Sequence, residues 1–365
     1  MKKILIIHES LNIGGAETLL TNILPHLDSS EYEIDLLILH KGGVLTKLLP
    51  SNIKVNYYFS NIFKYYLWKI LISFGIFINY YHIQTNKYDC ILSFMEGPAS
   101  VVHKQILKGG KRNVTWIHTD FKNNHWSLKY FHNIKTEYEY YSKMNKIIFV
   151  SEAAKRNFDL VYKINESNKK VLTNSVDKNV IRNKSNLIKL KKEKFTICNV
   201  GRLEPPKRQD RIIYIAKYLK EKGYDFHFWI VGAGKEEQTL QTLIKNNNVE
   251  NNVFLLGYKS NPYPYIKNSD VFLLTSDYEG YPMVLCEALC LGMPIISTKV
   301  TGAEEMLSNN IGILCNKKED EIANSIIELY LNDEKRKQIS NNALIASEKF
   351  SFKTYINNFL DILLV

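Results

Sequence analysis

Glu279 and Glu287 stand with seven residues between them in the run Asp277-Tyr-Glu-Gly-Tyr-Pro-Met-Val-Leu-Cys-Glu-Ala-Leu-Cys-Leu291. The apolar, β-rich residues 271–275 lead into this run, and from Pro282 onward the apolar spacing is that of a helix. Glu279 therefore falls in a strand-to-helix loop and Glu287 inside the helix. Proline suits a first helical turn because its missing N–H would be unpaired there anyway. The other free N–H groups of that turn and the positive end of the helix dipole make an anion site, with Glu279 beside its mouth and Glu287 on the helix behind it. A second pair of charges, Arg202 and Lys207, lies in one loop, Gly201-Arg-Leu-Glu-Pro-Pro-Lys207, after a predicted strand at 195–200. Arginine offers a forked contact and lysine a point charge, so the two are placed to clamp a diphosphate. Amides and cations for a diphosphate, with carboxylates to accept sugar and ribose hydroxyls, suit a sugar nucleotide.

Other candidates sit beside predicted strands. His118, in Thr115-Trp-Ile-His-Thr-Asp120, comes just past the carboxyl end of a strand at 114–117, where open α/β sheets bind ligands. Asp120 reads either as a group positioning an acceptor hydroxyl or as a partner of Lys122. Gly14 and Gly15 separate a strand at 3–7 from a helix at 16–27. A glycine pair there lets backbone approach a ligand closely, although by itself it fits a plain tight turn equally well. Gly232-Ala-Gly234 lacks the remainder of the dinucleotide fingerprint and does not indicate NAD.

These residues need a scaffold that brings strand ends together. A chain of 365 residues exceeds the usual size of one domain, so two separately cored domains are expected. Strand-like runs at 34–39, 55–58, 90–93, 114–117 and 147–150 follow the first strand, with helical patterns between several of them. Alternating strands and helices imply an α/β fold with a parallel, doubly wound sheet. A polar, lysine-rich stretch at 178–194 reads as an interdomain linker. The same grammar then restarts with strands at 195–200, 226–231, 253–258 and 271–275, and closes with helices at 319–331, near 341–349, and at 352–364.

Net charge is +11, and residues 1–180 carry 23 Lys and Arg against 15 Asp and Glu. Between positions 104 and 135 the only acidic residue is Asp120. Such a surface attracts nucleic acid, phosphorylated ligands or anionic lipid, whereas a composition rich in Lys, Asn and Ile requires no partner. No helix-turn-helix, RNA-binding or zinc signature supports nucleic acid. Five cysteines without a C-x-x-C suit a reducing cytoplasm, and Cys286 and Cys290, without nearby His, read as small core residues rather than zinc ligands. The apolar run after Met1 stops at His8-Glu9, too short for a signal peptide. Residues 62–83 nearly reach membrane-spanning length, but Lys64, Lys69 and Asn79 interrupt them. Two readings stand: a surface helix dipping into an anionic membrane with help from basic residues 104–135, and a helix packed on the sheet.

Glu279 and Glu287, followed by Ala288, Gly292, Pro294 and Gly302-Ala-Glu-Glu305, resemble the donor-site signature of the retaining family 4 glycosyltransferases, also called glycosyl transferases group 1, of the bacterial polysaccharide and capsule type. The resemblance covers essentially the whole chain. Gly-Gly-Ala-Glu at 14–17 is similar to the family's N-terminal loop, Asn174-Ser-Val-Asp177 to the segment ending its first domain, and Arg202 and Lys207 to its phosphate-binding pair. The resemblance implies a GT-B fold, two Rossmann-like domains facing across a cleft. The domains would be 1–180 on the acceptor side and 181–348 on the donor side, with 349–365 crossing back as a helix. It implies transfer, with retention, of a hexose or N-acetylhexosamine from a UDP-sugar to a glycan acceptor on a polyprenyl lipid, with neither metal nor cofactor. Arg202 and Lys207 would neutralise the leaving diphosphate and Glu287 would hold the ribose. Glu279 and the amides of Gly280 and Tyr281 would contact the sugar, as would His118 from the first domain. Gly14 and Gly15 would face the donor. Pro282 stands where many members have glycine, which shifts a sugar contact to Met283, and Ser175 replaces a usual glycine. Two alternatives compete: a metal-dependent transferase using Asp277 and Glu279, and a non-catalytic partner subunit that binds a sugar nucleotide.

Overall fold

A computed structural model describes residues 1–27, 30–76 and 88–365. The chain forms two compact units, Met1–Asn174 joined by Lys353–Val365, and Ser175–Phe352. In the first unit the strands are β1 (Lys2–His8), β2 (Tyr32–Ile38), β3 (Lys54–Tyr57), β4 (Cys90–Ser93), β5 (Asn113–Ile117), β6 (Lys146–Phe149) and β7 (Lys169–Val171). They make one parallel sheet in the order β3-β2-β1-β4-β5-β6-β7. Its helices are α1 (Gly15–Ile23), α2 (Ile62–Ser73), α3 (Pro98–Gln105), α4 (Ile134–Tyr141) and α5 (Glu152–Val161). Sequence order reverses between β1 and β4, where Ile4 pairs with Cys90 and Ile7 with Ser93. Crossovers diverge there and leave a crevice at the carboxyl ends of the strands.

The second unit repeats the plan. After α6 (Lys178–Ser185) come β8 (Thr196–Val200), α7 (Gln209–Glu221), β9 (His227–Val231), α8 (Glu237–Asn246), β10 (Val253–Leu255) and α9 (Tyr263–Lys267). Then follow β11 (Val271–Leu274), α10 (Met283–Cys290), β12 (Ile295–Thr298), α11 (Thr301–Met306), β13 (Ile313–Cys315), α12 (Glu319–Leu331) and α13 (Asp333–Ser347). The parallel order β10-β9-β8-β11-β12-β13 places its reversal between β8 and β11. The strands β4, β5, β11 and β12 are buried throughout, as in sheets covered on both faces, and polar side chains among them find partners inside, as Ser93 Oγ does by donating to Thr115 Oγ1 at 2.7 Å.

Four expected elements change. The stretch 178–194 begins as α6 rather than a linker: the Asp177 carboxylate accepts from the Asn179 and Val180 amides at 2.9 and 3.0 Å, and Arg182 Nε donates to the Cys290 carbonyl at 3.0 Å. Two turns with Ile181 as the buried apolar anchor give too little period to read. The helix expected at 16–27 ends at Ile23 and tightens into a 3-10 turn over Leu24–His26, because Pro25 cannot continue the α ladder. The strand expected to reach 258 stops at Leu255, shortly before Gly257 takes the left-handed φ of 69°. The helix near 341–349 starts at Asp333, capped by Asn332, whose side chain accepts from the Lys335 amide at 2.9 Å.

Helix α2 ends at Ser73, and residues 77–83 of the expected segment lie outside the described residues. Tyr65, Trp68 and Ile72 share one face and enter the core, with Trp68 against Phe59 at 5.2 Å between ring centroids. Phe63, Leu67 and Ile70 face outward and are 81%, 53% and 56% exposed. Among the described residues no helix is long and apolar enough to cross a membrane. The C-terminal helix, Phe352–Leu364, belongs to the first unit from Lys353 onward: Phe359 stacks on Trp116 at 5.5 Å, and Arg112 donates to the carbonyls of Val365 and Ile362. A guanidinium there meets the negative end of the helix dipole. Truncating the fully buried Trp68 to alanine should cost about 3–5 kcal/mol through lost contacts and a residual cavity, read as a lower urea midpoint for unfolding of the first unit.

Candidate functional site

In the second unit the charged candidates gather at the carboxyl ends of β8 and β11. The loop after β8 tightens into a 3-10 turn at Pro205–Lys207, and Arg208 takes the left-handed φ of 51° to enter α7. This loop is stitched to the one after β11. The Asp277 amide donates to the Pro206 carbonyl at 2.8 Å and Thr275 Oγ1 to the Lys207 carbonyl at 2.9 Å. Asp277 is gripped by Arg211 Nη1 at 2.8 Å and Arg208 Nη1 at 3.2 Å. Burial opposes its ionisation, but the two guanidiniums prevail and hold its carboxyl below the usual range. A carboxylate so occupied shapes the loop, and its neighbourhood is positive, which disfavours a divalent cation.

On this frame Lys207 and Glu279 meet. Lys207 Nζ donates to Glu279 Oε1 at 2.5 Å, and Ser276 Oγ donates to the same oxygen at 2.6 Å. Arg202 is exposed, and its guanidinium has no partner among the described residues. Only its carbonyl is engaged, by the Glu204 amide and the Gln209 side chain. Lys207 is thus held in place while Arg202 remains available to an anion. Met283 opens α10, whose start no side chain caps. Gly302 of α11 backs the loop: a Cβ there would lie 2.6 Å from the Gly280 carbonyl oxygen and 2.7 Å from Tyr281 Cα. Glu287, partly buried on α10, receives the Tyr263 hydroxyl at 3.4 Å. Burial pushes its carboxyl up to about 7, against the opposing Tyr263 contact.

In the first unit His118 follows β5. Its ring is hydrogen-bonded to the Phe94 backbone, while Nε2 is buried without a partner among the described residues. A bond to a backbone carbonyl requires Nδ1–H, which leaves Nε2 as a bare acceptor. Burial, then the neighbouring His8, lowers the imidazole to about 3, so it is neutral at physiological pH. Its backbone N–H donates to Glu96 Oε2 at 2.9 Å. Asp120, 2% exposed, keeps its oxygens within its own neighbourhood: it accepts from the Lys122 amide at 3.0 Å, Asn123 Nδ2 at 2.7 Å and Asn157 Nδ2 at 2.8 Å. The Lys122 contact is therefore to backbone rather than to the ammonium. Gly14 precedes α1 with extended φ of −173°, and Gly15 begins the helix without a side-chain cap. Of the basic run, Lys111 pairs with Asp89, Lys104 donates to the Thr136 carbonyl, and Arg112 holds the C-terminal helix. Lys108, Lys122, Lys129 and Lys135 are exposed.

Residues 13–180 match the model for Glycosyltransferase Family 4 and residues 180–345 that for Glycosyl transferases group 1. The chain belongs to the group 1 glycosyltransferases. It is 30% identical over 208 residues to an uncharacterised glycosyltransferase of Methanocaldococcus jannaschii, covering 55% of this chain and 51% of that one. It is 32% identical over 197 residues to the N-acetylgalactosamine-N,N'-diacetylbacillosaminyl-diphospho-undecaprenol 4-alpha-N-acetylgalactosaminyltransferase of Campylobacter jejuni, 53% of each chain. The chain spans about half the length of these curated relatives. HepE of Anabaena, solved in complex with UDP-glucose, superposes with a TM-score of 0.79 at 21% identity over 100% of this chain and 99% of that one. The group 1 transferase has the GT-B fold.

Sequence reading overlooked Glu96, Ser276, Tyr263 and the Arg208–Arg211 pair. Met95-Glu-Gly-Pro98 directly after an apolar strand was the available signal for the first, since a charge there must be held by something. Glu287 generates a stability test. Its carboxyl ionises near pH 7 when folded but near the ordinary ~4.3 when unfolded, so unfolding is favoured progressively between those values. Relative to Glu287→Gln, the unfolding free energy of the natural chain should fall by roughly 1–3 kcal/mol from pH 4 to pH 7 and then level off, measured by urea titration at each pH.

Proposed function

We propose that the protein is a retaining, metal-independent glycosyltransferase that moves a hexose or N-acetylhexosamine from a UDP-sugar to a glycan acceptor in bacterial surface polysaccharide synthesis. The observation that carries this reading is the Lys207–Glu279 contact, which joins the loop that also carries the exposed Arg202 to the loop leading into the uncapped start of α10. In this reading the donor diphosphate recruits Arg202 and draws on Lys207, and the two cations neutralise the charge that develops on departing UDP. Electrostatic stabilisation of that kind needs no metal. Lys207 leaves Glu279 partly released toward the sugar, alongside the amides of Gly280, Tyr281 and Met283. Glu287 accepts the ribose hydroxyls in its ionised form. Retention follows from attack on the face the diphosphate leaves, and Glu279, already paired with a cation and a hydroxyl, is not assigned as a nucleophile.

On the first unit, His118 offers a neutral acceptor nitrogen to a sugar hydroxyl, with Gly14 and Gly15 as the proposed close-approach turn. Asp120 is assigned to shaping the loop, since its oxygens are already engaged. The Campylobacter relative's name includes an undecaprenyl diphosphate acceptor, which supports a lipid-linked acceptor for this chain. The outward face of α2, with exposed Phe63, Leu67 and Ile70, supports peripheral contact with the inner face of the cell membrane from the cytoplasm. Exposed lysines of the 104–135 run would add headgroup attraction.

UDP release from a panel of UDP- and GDP-sugars in EDTA tests the chemistry. One donor should be consumed, and Lys207→Ala and Glu287→Ala should each reduce turnover by about 10²–10³. Activity that EDTA abolishes would return the metal-dependent alternative, while UDP binding without turnover of any donor would favour a non-catalytic subunit. Flotation with phosphatidylglycerol vesicles tests the membrane contact. The natural chain should float and a Phe63→Ser, Leu67→Ser, Ile70→Ser variant should stay at the bottom; equal behaviour of the two removes α2 from the contact.

A further inference from the structure

A carboxylate that no part of the donor chemistry uses lies buried just beyond β4. Glu96 is 1% exposed, yet three donors converge on it: the His118 amide on Oε2 at 2.9 Å, and Thr119 Oγ1 and Trp126 Nε1 on Oε1 at 2.7 and 3.0 Å. Two of these donors come from the segment that leaves β5, and the third from the 3-10 turn Trp126–Tyr130. Gly97 has φ of 89°, and a Cβ on it would approach the Trp126 ring to 2.6 Å, so the turn after β4 is fitted against this tryptophan. The same few residues also reach the His118 ring, since the Phe94 backbone is its hydrogen-bond partner. Backbone and ring of one histidine are therefore both fastened to the end of one strand.

Burying a carboxylate costs several kcal/mol unless donors replace its water, and burial does raise this carboxyl against the pull of its three donors. A salt bridge is not what holds it: among the described residues the partners of its oxygens are these three donors, none of them a cation. The position needs acceptor capacity on both oxygens, which only a carboxylate supplies. Glutamine would keep the size but turn an NH₂ toward one of the donors, setting donor against donor.

We propose that Glu96 is a positioning residue for glycosyl transfer, clamping the His118–Thr119 segment so that the His118 imidazole presents its bare Nε2 to a sugar hydroxyl. The inference rests on the sugar-facing role given to His118 above. A displacement of about 1 Å in such a group can cost about 10²-fold in rate. Donor affinity should be indifferent to Glu96, because the proposed diphosphate and ribose contacts belong to the second unit.

The test is a double-mutant cycle in the full chain with Glu96→Gln, His118→Ala and both together, reading kcat and KM with whichever of UDP-glucose and UDP-N-acetylglucosamine is turned over, and UDP affinity by calorimetry. Glu96→Gln should lower kcat about 10- to 100-fold with UDP affinity within about twofold, and it should add little in the His118→Ala background, as coupled residues do. Multiplicative losses, or an unchanged kcat for Glu96→Gln, overturn the proposal. An unchanged kcat for His118→Ala instead overturns the role of His118, and the two failures are distinct. If Glu96→Gln does not fold, Trp126→Phe, which deletes one donor and retains a ring beside Gly97, is carried through the same cycle with a smaller coupled loss expected. If neither donor is turned over, ¹⁵N-histidine NMR decides: the His118 resonance, assigned by its absence in His118→Ala, should report the Nδ1–H tautomer in the natural chain and mixed tautomers in the Glu96 or Trp126 variant. Identical tautomers in both overturn the clamp.

Discussion

Parallel strands cannot be joined by a tight turn, so each must be followed by a crossover that returns the chain to the same edge of the sheet. Every carboxyl end then lies on one edge and every amino end on the other. Where strand order reverses, successive crossovers depart to opposite faces and leave a crevice. Both units obey this constraint, with reversals between β1 and β4 and between β8 and β11. It explains why residues as distant in sequence as Lys207 and Glu279 are neighbours, and why Glu96 and His118 touch. The candidate residues Lys207, Glu279, Glu96 and His118 all lie in short segments leaving strands, whereas the strands are mostly buried apolar side chains.

Charges crowded at one edge create a second problem, because a partly buried carboxylate or ammonium is costly without a partner. The second unit meets it in two layers. Asp277, gripped by Arg208 and Arg211, fixes the loop after β11 to the start of α7. Above this frame, Lys207 and Glu279 satisfy one another, with Ser276 assisting. The lower cluster ties Asp277 to two guanidiniums, whereas the upper pair is 26% and 12% exposed at its side chains and can exchange partners. Arg202 contributes a charge that nothing among the described residues partners. The first unit holds Glu96 with hydrogen bonds rather than ion pairs, and the neighbouring His118 imidazole is kept neutral by its burial and by His8.

How far these arrangements were legible in the sequence depended on how much each residue's type constrains its place. Strands buried on both faces were readable from their short, largely apolar runs, and 90–93 coincides with β4. The strand-loop-helix around Glu279 was equally plain, with Pro282 and the apolar spacing of α10 marking the junction. Helix α6 escaped because its stability comes from the Asp177 cap and from Arg182 reaching a carbonyl far along the chain, neither of which leaves a period. The β7 strand, only Lys169–Val171, is defined by its neighbour β6 rather than by its own residues. Helix α2 was ambiguous for a physical reason: it is apolar on two faces, one filled by the core and the other exposed. Glu96 escaped because a lone glutamate after a strand looks like solvent-facing polarity until its three donors are seen.

Pro282 illustrates how a departure from a familiar pattern can be absorbed by its surroundings. It removes one backbone N–H from the approach to α10 and fixes its own φ, here −71°, so the loop loses a donor and gains stiffness. The stiffened segment is then pressed against α11, where Gly302 leaves room: a Cβ at 302 would stand 2.8 Å from Pro282 Cδ as well as crowding Gly280 and Tyr281. Proline and glycine are thus complementary across the contact, the one setting the loop's direction and the other permitting its approach. A loop held this closely pays less ordering entropy when a ligand arrives. The missing amide is compensated by a geometry fixed in advance, and the first donor available to an anion at this helix becomes the Met283 amide.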